Sequence, residues 1–214
     1  MTSRVVVFVD YQNVYHSARE AFGDPKSDPP TLGHVQPAAL GALLVEFGQR
    51  HYPDRELQQV RVYRGAPGPQ SHPNLQAASS RQIAAWDRQR PLVEPVTRPL
   101  RYQPLEWDHT GRPTRWDTGR EKGIDVLLAL DVALGAVRDD YDVAVVVSGD
   151  TDLIPAIDEA LRAGKWVENA VWRAGDRPPR PLRSTYRRIW SHYLDRGHFE
   201  RVRDDTDYLA HPDT

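Results

Sequence analysis

Three blocks of the chain end or begin on carboxylates that could do chemistry together. Val5-Val6-Val7-Phe8-Val9 runs into Asp10, and a second apolar run, Asp142 to Val147, ends at Ser148-Gly149-Asp150-Thr151-Asp152. Between them Lys122-Gly123-Ile124-Asp125 opens a helical pattern. In open parallel sheets, sites form outside the C-terminal ends of the strands. Asp10, Asp125, Asp150 and Asp152 are therefore expected at one rim. Each close pair of like charges there costs about 4 kcal/mol at ~4 Å and an effective dielectric near 20. An all-oxygen cluster without cysteine or organised histidine suits a hard divalent cation, Mg²⁺ or Mn²⁺. Magnesium keeps much of its water and takes one or two carboxylates directly, leaving positions for a substrate phosphate. The chemistry indicated is phosphoryl chemistry with a metal-activated water. Asn13 can orient a carboxylate or donate to phosphate, Ser148 can donate to water or phosphate, and Gly149 permits close backbone approach.

Each residue also has a plainer role. Asp10 suits the N-cap of the next helix, and Asp150, Thr151 or Asp152 suits the cap of a helix carrying Pro155 in its first turn. Asp125 can complement a helix dipole, and Asn13 can close a local hydrogen bond at a helix start. Four acids at strand ends together favour the site. Asp131, roughly 240° around the helix from Asp125, faces elsewhere. The eight histidines show no His-Glu-x-x-His spacing, and Gly65-Ala66-Pro67-Gly68-Pro69 lacks the lysine of a phosphate loop. Asp10-Tyr11-Gln12 is not the Asp-x-Asp of an aspartyl nucleophile, which weighs against a phosphatase working through a phosphoenzyme.

The elements that must position these groups alternate. Continuous β-branched runs read as strands buried on both faces. A helical pattern follows Asp10 through Phe22, and another spans Pro37 to Gln49 on Leu40, Leu43, Leu44 and Phe47. Strands are predicted at 59–64, 142–147 and 167–172, and helices at 73–88, from about 124, and from Asp150 to Ala163 with Gly164 closing it. Such alternation predicts an α/β fold with a mainly parallel sheet flanked by helices. The proline-rich stretch 90–118, with a turn signal at Thr110-Gly111-Arg112-Pro113, reads as edge strands or a β-hairpin flap inserted in one domain over 1–175. Residues 176–214 read as an arginine-rich extension packing on that domain.

Composition narrows the function. The chain has 214 residues, a length that suits one such domain with an insert. It has no cysteine, which excludes disulfides, thiolate zinc sites and a cysteine nucleophile. No apolar run approaches a membrane span, and the start lacks a secretory pattern, so the expected compartment is the cytoplasm. Net charge is −2, not that of a bulk-basic nucleic-acid binder, yet Arg173 to Arg203 holds nine arginines against three acids. Arginine's planar fork suits phosphate, although arginine also populates ordinary solvated faces.

Taken in order, Phe8-Val9-Asp10-Tyr11-Gln12-Asn13-Val14, Lys122-Gly123-Ile124-Asp125-Val126 and Val147-Ser148-Gly149-Asp150-Thr151-Asp152-Leu153 with Pro155 resemble the NYN domain family, a branch of the PIN-like nucleases. The resemblance covers Arg4 to Trp172. It implies a Rossmann-like sheet and a metal-dependent endoribonuclease using Mg²⁺ or Mn²⁺. By motif, Asp10, Asp125, Asp150 and Asp152 would form the acidic metal site, with Asn13 and Ser148 supporting it and Lys122 contacting RNA phosphate. Family members often carry an aspartate in the helix after the last strand. Here that region reads Leu182-Arg183-Ser184-Thr185-Tyr186-Arg187-Arg188-Ile189, placing Arg183, Arg187 and Arg188 where a polynucleotide backbone could be held. The departure also motivates a second reading, a catalytically silent RNA-binding or regulatory module. Oligomeric state stays open, a homodimer included.

Overall fold

The computed structural model describes residues 2–24, 27–29, 31–68, 73–175 and 181–210; residues 176–180 of the arginine-rich stretch and Pro69 of the loop above lie outside the described residues. In chain order the elements are β1 (Ser3–Asp10), α1 (Tyr11–Phe22), α2 (Pro37–Gln49), β2 (Arg55–Ala66), α3 (Pro73–Asp87), β3 (Val93–Pro99), β4 (Pro104–Trp107), β5 (Pro113–Trp116), α4 (Ile124–Val137), β6 (Val143–Val147), a 3₁₀ turn (Thr151–Leu153), α5 (Ile154–Arg162), β7 (Trp166–Trp172), β8 (Trp190–Leu194) and α6 (Arg196–Val202).

Six strands form one parallel sheet in the order β3-β2-β1-β6-β7-β8, and β4 and β5 form a separate antiparallel hairpin. Alternation along β1 explains the layering. Val5, Val7 and Val9 enter a core with Tyr11, Val14 and Ala18 of α1 and Leu40 and Leu44 of α2. Val6 and Phe8 enter another with Leu128 and Val132 of α4 and Ile157 and Leu161 of α5. Both faces are buried, which is why β1 and β6 read as unbroken apolar runs. No helix among the described residues is long and apolar enough to cross a membrane.

Two segments differ from expectation. The stretch 90–118 divides: Val93–Pro99 pairs with β2 from Val60↔Val93 to Ala66↔Pro99, and only Pro104–Trp116 stands apart as the hairpin. Pro95 and Pro99 are tolerated because β3 is an edge strand. The C-terminal stretch does more than pack on the domain, since Trp190–Leu194 supplies the sixth strand.

A buried ionic network ties the sheet's parts together. Arg55 Nη2 lies 2.7 Å from Glu168 Oε1, and His192 Nε2 lies 2.7 Å from Glu168 Oε2. All three are buried, at 6%, 4% and 5% exposure. Burial works to raise the Glu168 carboxyl, but the bonds from His192 and Arg55 hold it below the ordinary glutamate range.

Candidate acidic site at the switch point of the sheet

Strand order reverses direction between β1 and β6, so the crevice beyond their C-terminal ends is the switch point of the sheet. Val9 pairs with Val147 there, setting Asp10 beside Ser148. Asp10 leaves β1 and caps α1: its Oδ1 accepts from the Asn13 backbone N–H at 3.2 Å. Its Oδ2 accepts from Ser148 Oγ at 2.9 Å, and that hydroxyl accepts from the Asp150 N–H at 3.0 Å. Asn13 Oδ1 accepts from the Gly149 N–H at 3.0 Å. Asp150 caps the 3₁₀ turn, its Oδ1 accepting from the Asp152 N–H at 3.0 Å. The two strand ends are thus stitched by side chains that also start the helical segments after them.

Two contributors had no sequence signal. Asn169, fully buried in β7, donates through Nδ2 to the carbonyls of Val146 and Ser148, each at 2.8 Å, and so holds the Ser148 turn. Glu121 accepts from the Gly65 N–H at 2.6 Å, and Gln12, with its amide nitrogen turned inward, donates to both Glu121 oxygens at 2.8 and 2.7 Å. Gly65 permits this approach, because a Cβ there would meet Leu100 Cδ2 at 2.4 Å and Glu121 Cγ at 2.7 Å.

The carboxylates share one field. Burial pushes Asp10 above the ordinary aspartate range, against the lowering bonds from Asn13 and Ser148, and the charges of Asp150 and Asp125 add to the rise. Glu121 is likewise raised by burial and by Asp10 and Asp125, with Gly65 N–H and Arg64 opposing. Among the described residues, however, no group of three or more histidine, aspartate or glutamate side chains is arranged to ligate one ion. The four aspartates expected at the rim differ in exposure: Asp125 and Asp152 are exposed, while Asp10 and Asp150 spend oxygens on caps. The donor set still fits a hard cation that keeps its water, since such an ion needs only one or two carboxylate oxygens. Asp10, Asn13 and Glu121 line an open depression of about 380 Å³, and Asn13, Ser148 and Gly149 line an adjoining one of about 550 Å³.

The remaining expectations separate. Lys122 is exposed just before α4. Arg183 is exposed and follows Leu182, whose N–H donates to Asn169 Oδ1 at 2.9 Å, so its backbone is tied near the rim. Arg187 is carried to the opposite end of the strands: it donates to the Lys165 carbonyl at 2.9 Å and lies over Trp166, where β7 begins. Arg188 is exposed, and Leu182–Ile189 is not helical. The cause is Asp158 on α5, which accepts from Ser184 Oγ at 2.5 Å and from the Thr185 N–H at 3.1 Å, drawing the chain down that helix. Asp131 faces away, accepting from Tyr63 Oη at 2.6 Å.

Asp150→Asn keeps a capping oxygen and removes one like charge. Without metal at pH 7 it is expected to raise the melting temperature by a few degrees, at roughly 2–4 °C per kcal/mol for this size. The sign follows from Asp10. Its raised value means the folded state holds its proton more tightly, so stability is full below the ordinary aspartate pKa of ~3.9 and is lost as pH rises through the raised value. The variant's gain should therefore shrink in acid. A variant that melts below wild type at pH 7 would assign Asp150 to capping alone.

No curated protein matches the sequence. Among solved structures, one of a Vibrio parahaemolyticus protein of unknown function is similar at 19% identity, covering 79% of this chain and 81% of that one, with a TM-score of 0.47. The model of the NYN domain family matches residues 4–189, a span from the first strand to the residue before β8. With five of the six sheet strands and the whole switch point inside that match, the chain belongs to the NYN domain family.

Proposed function

We propose that the protein is a metal-dependent endoribonuclease whose acids at the switch point act on an RNA phosphodiester. The observation that carries this reading is the meeting of Asp10, Ser148 and Asp150 at the reversal of strand order, with Glu121 held at the end of β2 on the same rim. NYN domains are nuclease-like, and the family match brings that chemistry to this chain. Asp10 and Asp150 are the carboxylates that would hold Mg²⁺ or Mn²⁺, through the lone pairs their caps leave open. When bound, the ion offsets charge on the phosphate and acidifies water. Ser148 holds Asp10 in its orientation and, by turning its hydroxyl, can donate to a phosphate oxygen. Asn13 fixes the Gly149 backbone through its amide oxygen, which leaves its amide nitrogen as the group proposed to face substrate. Lys122 and Arg183, both exposed, are the cations proposed to meet the RNA backbone; Arg187 and Arg188 would serve only an RNA that wraps past α5.

The test incubates purified protein with end-labelled single-stranded and hairpin RNAs in Mg²⁺, Mn²⁺ or EDTA. Cleavage with either ion and none in EDTA is expected. Cleavage unaffected by EDTA overturns the metal dependence. Binding without cleavage in every condition would establish the silent RNA-binding module instead, a reading the cap roles of Asp10 and Asp150 favour.

A further inference from the structure

Beside the acids lies a further cavity, of about 720 Å³, with a different chemistry. It is walled by α1, α3, the end of β2 and residues 205–209, and it shares Gln12, His16 and Glu121 with the acidic depression. Its floor holds Arg64, partly buried. The guanidinium stacks over Tyr11 at 5.3 Å and Trp86 at 6.0 Å and donates to Gln82 Oε1. Among the described residues no carboxylate lies within ion-pairing distance of it. Glu121 on the same wall is coupled to it electrostatically without forming an ion pair, so the guanidinium's fork is not closed by a carboxylate and can take an anion.

Several of the surrounding polar groups are already spent. Tyr11 Oη accepts from Gln82 Nε2 at 2.7 Å and sits 2.9 Å from His34 Nδ1. His34 is pulled down to about 4 by burial and by Arg64, so it is neutral near pH 7 and adds no charge. Asp205 is paired with Arg203, and Asp207 accepts from the Leu209 N–H at 2.9 Å. On the same wall Ser79 Oγ, in a residue 4% exposed, has no hydrogen-bond partner among the described residues. Leu75, half exposed at the mouth, Leu100 and Tyr15 give part of the wall an apolar and aromatic surface, beside the polar Gln12, His16 and Glu121. Volumes of 300–1,000 Å³ with few polar anchors are those of small-molecule sites. A partly buried fork for phosphate facing the apolar and aromatic surface of Leu75, Leu100 and Tyr15 matches one nucleotide.

We propose that this cavity takes one unpaired nucleotide of the RNA strand, its phosphate on Arg64 and its base against Leu75, Leu100 and Tyr15. This rests on the ribonuclease reading for its role, because the shared wall would place the captured nucleotide next to the bond to be cut. A duplexed base cannot enter without leaving its stack, so the pocket selects single strands.

Binding is measured in EDTA, where cleavage plays no part, by anisotropy of a labelled single-stranded RNA and a blunt duplex. The proteins are wild type, Arg64→Gln and Leu75→Trp, which narrows the mouth; thermal melts check that each is folded. Single-strand affinity should fall about tenfold or more in Arg64→Gln and measurably in Leu75→Trp, with duplex affinity within twofold of wild type. AMP should compete with the single strand, and inorganic phosphate at the same concentration should compete less. Equal competition by phosphate would reduce the pocket to an anion site and overturn the nucleotide assignment. Unchanged single-strand affinity in both variants would overturn it as well; if Arg64→Gln is unfolded, Leu75→Trp alone decides. Loss of binding in the variants with no cleavage by wild type in any metal would keep the pocket and remove the ribonuclease reading. Metal-dependent cleavage with unaltered binding in the variants would do the reverse.

Discussion

Glu168→Ala is expected to destabilise the protein by about 3–5 kcal/mol, the usual cost of removing one partner from a buried ion pair. At roughly 2–4 °C per kcal/mol this is a fall of about 6–20 °C in melting temperature, read by circular dichroism. The cause is what remains. Arg55, 6% exposed, would keep its charge with no carboxylate opposite it, and His192 would lose its acceptor. Glu168→Gln keeps the shape and one acceptor and should fall between the two. Because its pairing holds Glu168 below the ordinary glutamate range, the stability it contributes is present above that range and is lost as pH falls through the lowered value. Wild type and Glu168→Ala should converge in strong acid. Melting points within 2 °C of each other at pH 7 would show that the network contributes little, and that packing of β7 and β8 suffices.

Asp10→Asn is expected to lower RNA cleavage by roughly 10²- to 10⁴-fold, the span of a lost proton-transfer or charge-stabilising group. The fold should survive the change. The remaining amide oxygen can still cap α1 at the Asn13 N–H, and the new amide nitrogen faces Ser148 Oγ, whose hydroxyl can rotate to accept from it. Relief of the charge shared with Asp150 and Asp125 should leave the metal-free melting point at or above that of wild type. The informative result is this pairing, with activity lost and stability kept. Full cleavage by Asp10→Asn would remove Asp10 from the chemistry and leave it as a helix cap. A loss of stability equal to the loss of activity would show only that the switch point had come apart.

How much of this was legible in the sequence depended on burial and on locality. β1 and β6 are buried on both faces, so their apolar runs could be read directly, together with the acids that end them. α2 matched its expected bounds, Pro37 to Gln49, because proline marks its first turn and its apolar stripe is regular. β8 was missed: Trp190–Leu194 is a five-residue edge strand with Trp190 and Tyr193 exposed, and no turn signal isolates it. β3 was folded into the expected flap because its prolines, correctly read as edge residues, gave no hint of which edge. Glu121 lies in irregular chain with no period to flag it, and it reaches Asp10 only because β2 ends at the same rim. Arg187 shows the reverse failure. Five residues after Leu182 it looks adjacent to the rim, yet the bonds from Ser184 and Thr185 to Asp158 turn the chain away. Arg64 meets Gln82 and Tyr11 from three separate segments, a juxtaposition that only the folded chain creates.

Asp10 and Asp150 each launch the helical segment after their strand, and this gives the rim an uneven distribution of rotational freedom. Their torsions are settled when the chain folds, so neither surrenders much entropy when it meets a ligand. Asp125 and Asp152 are exposed, and any ligand they met would have to freeze them. The rim thus comes as a rigid half and a loose half. Affinity gained by the rigid half is set by folding, whereas the loose half can respond to whichever substrate arrives.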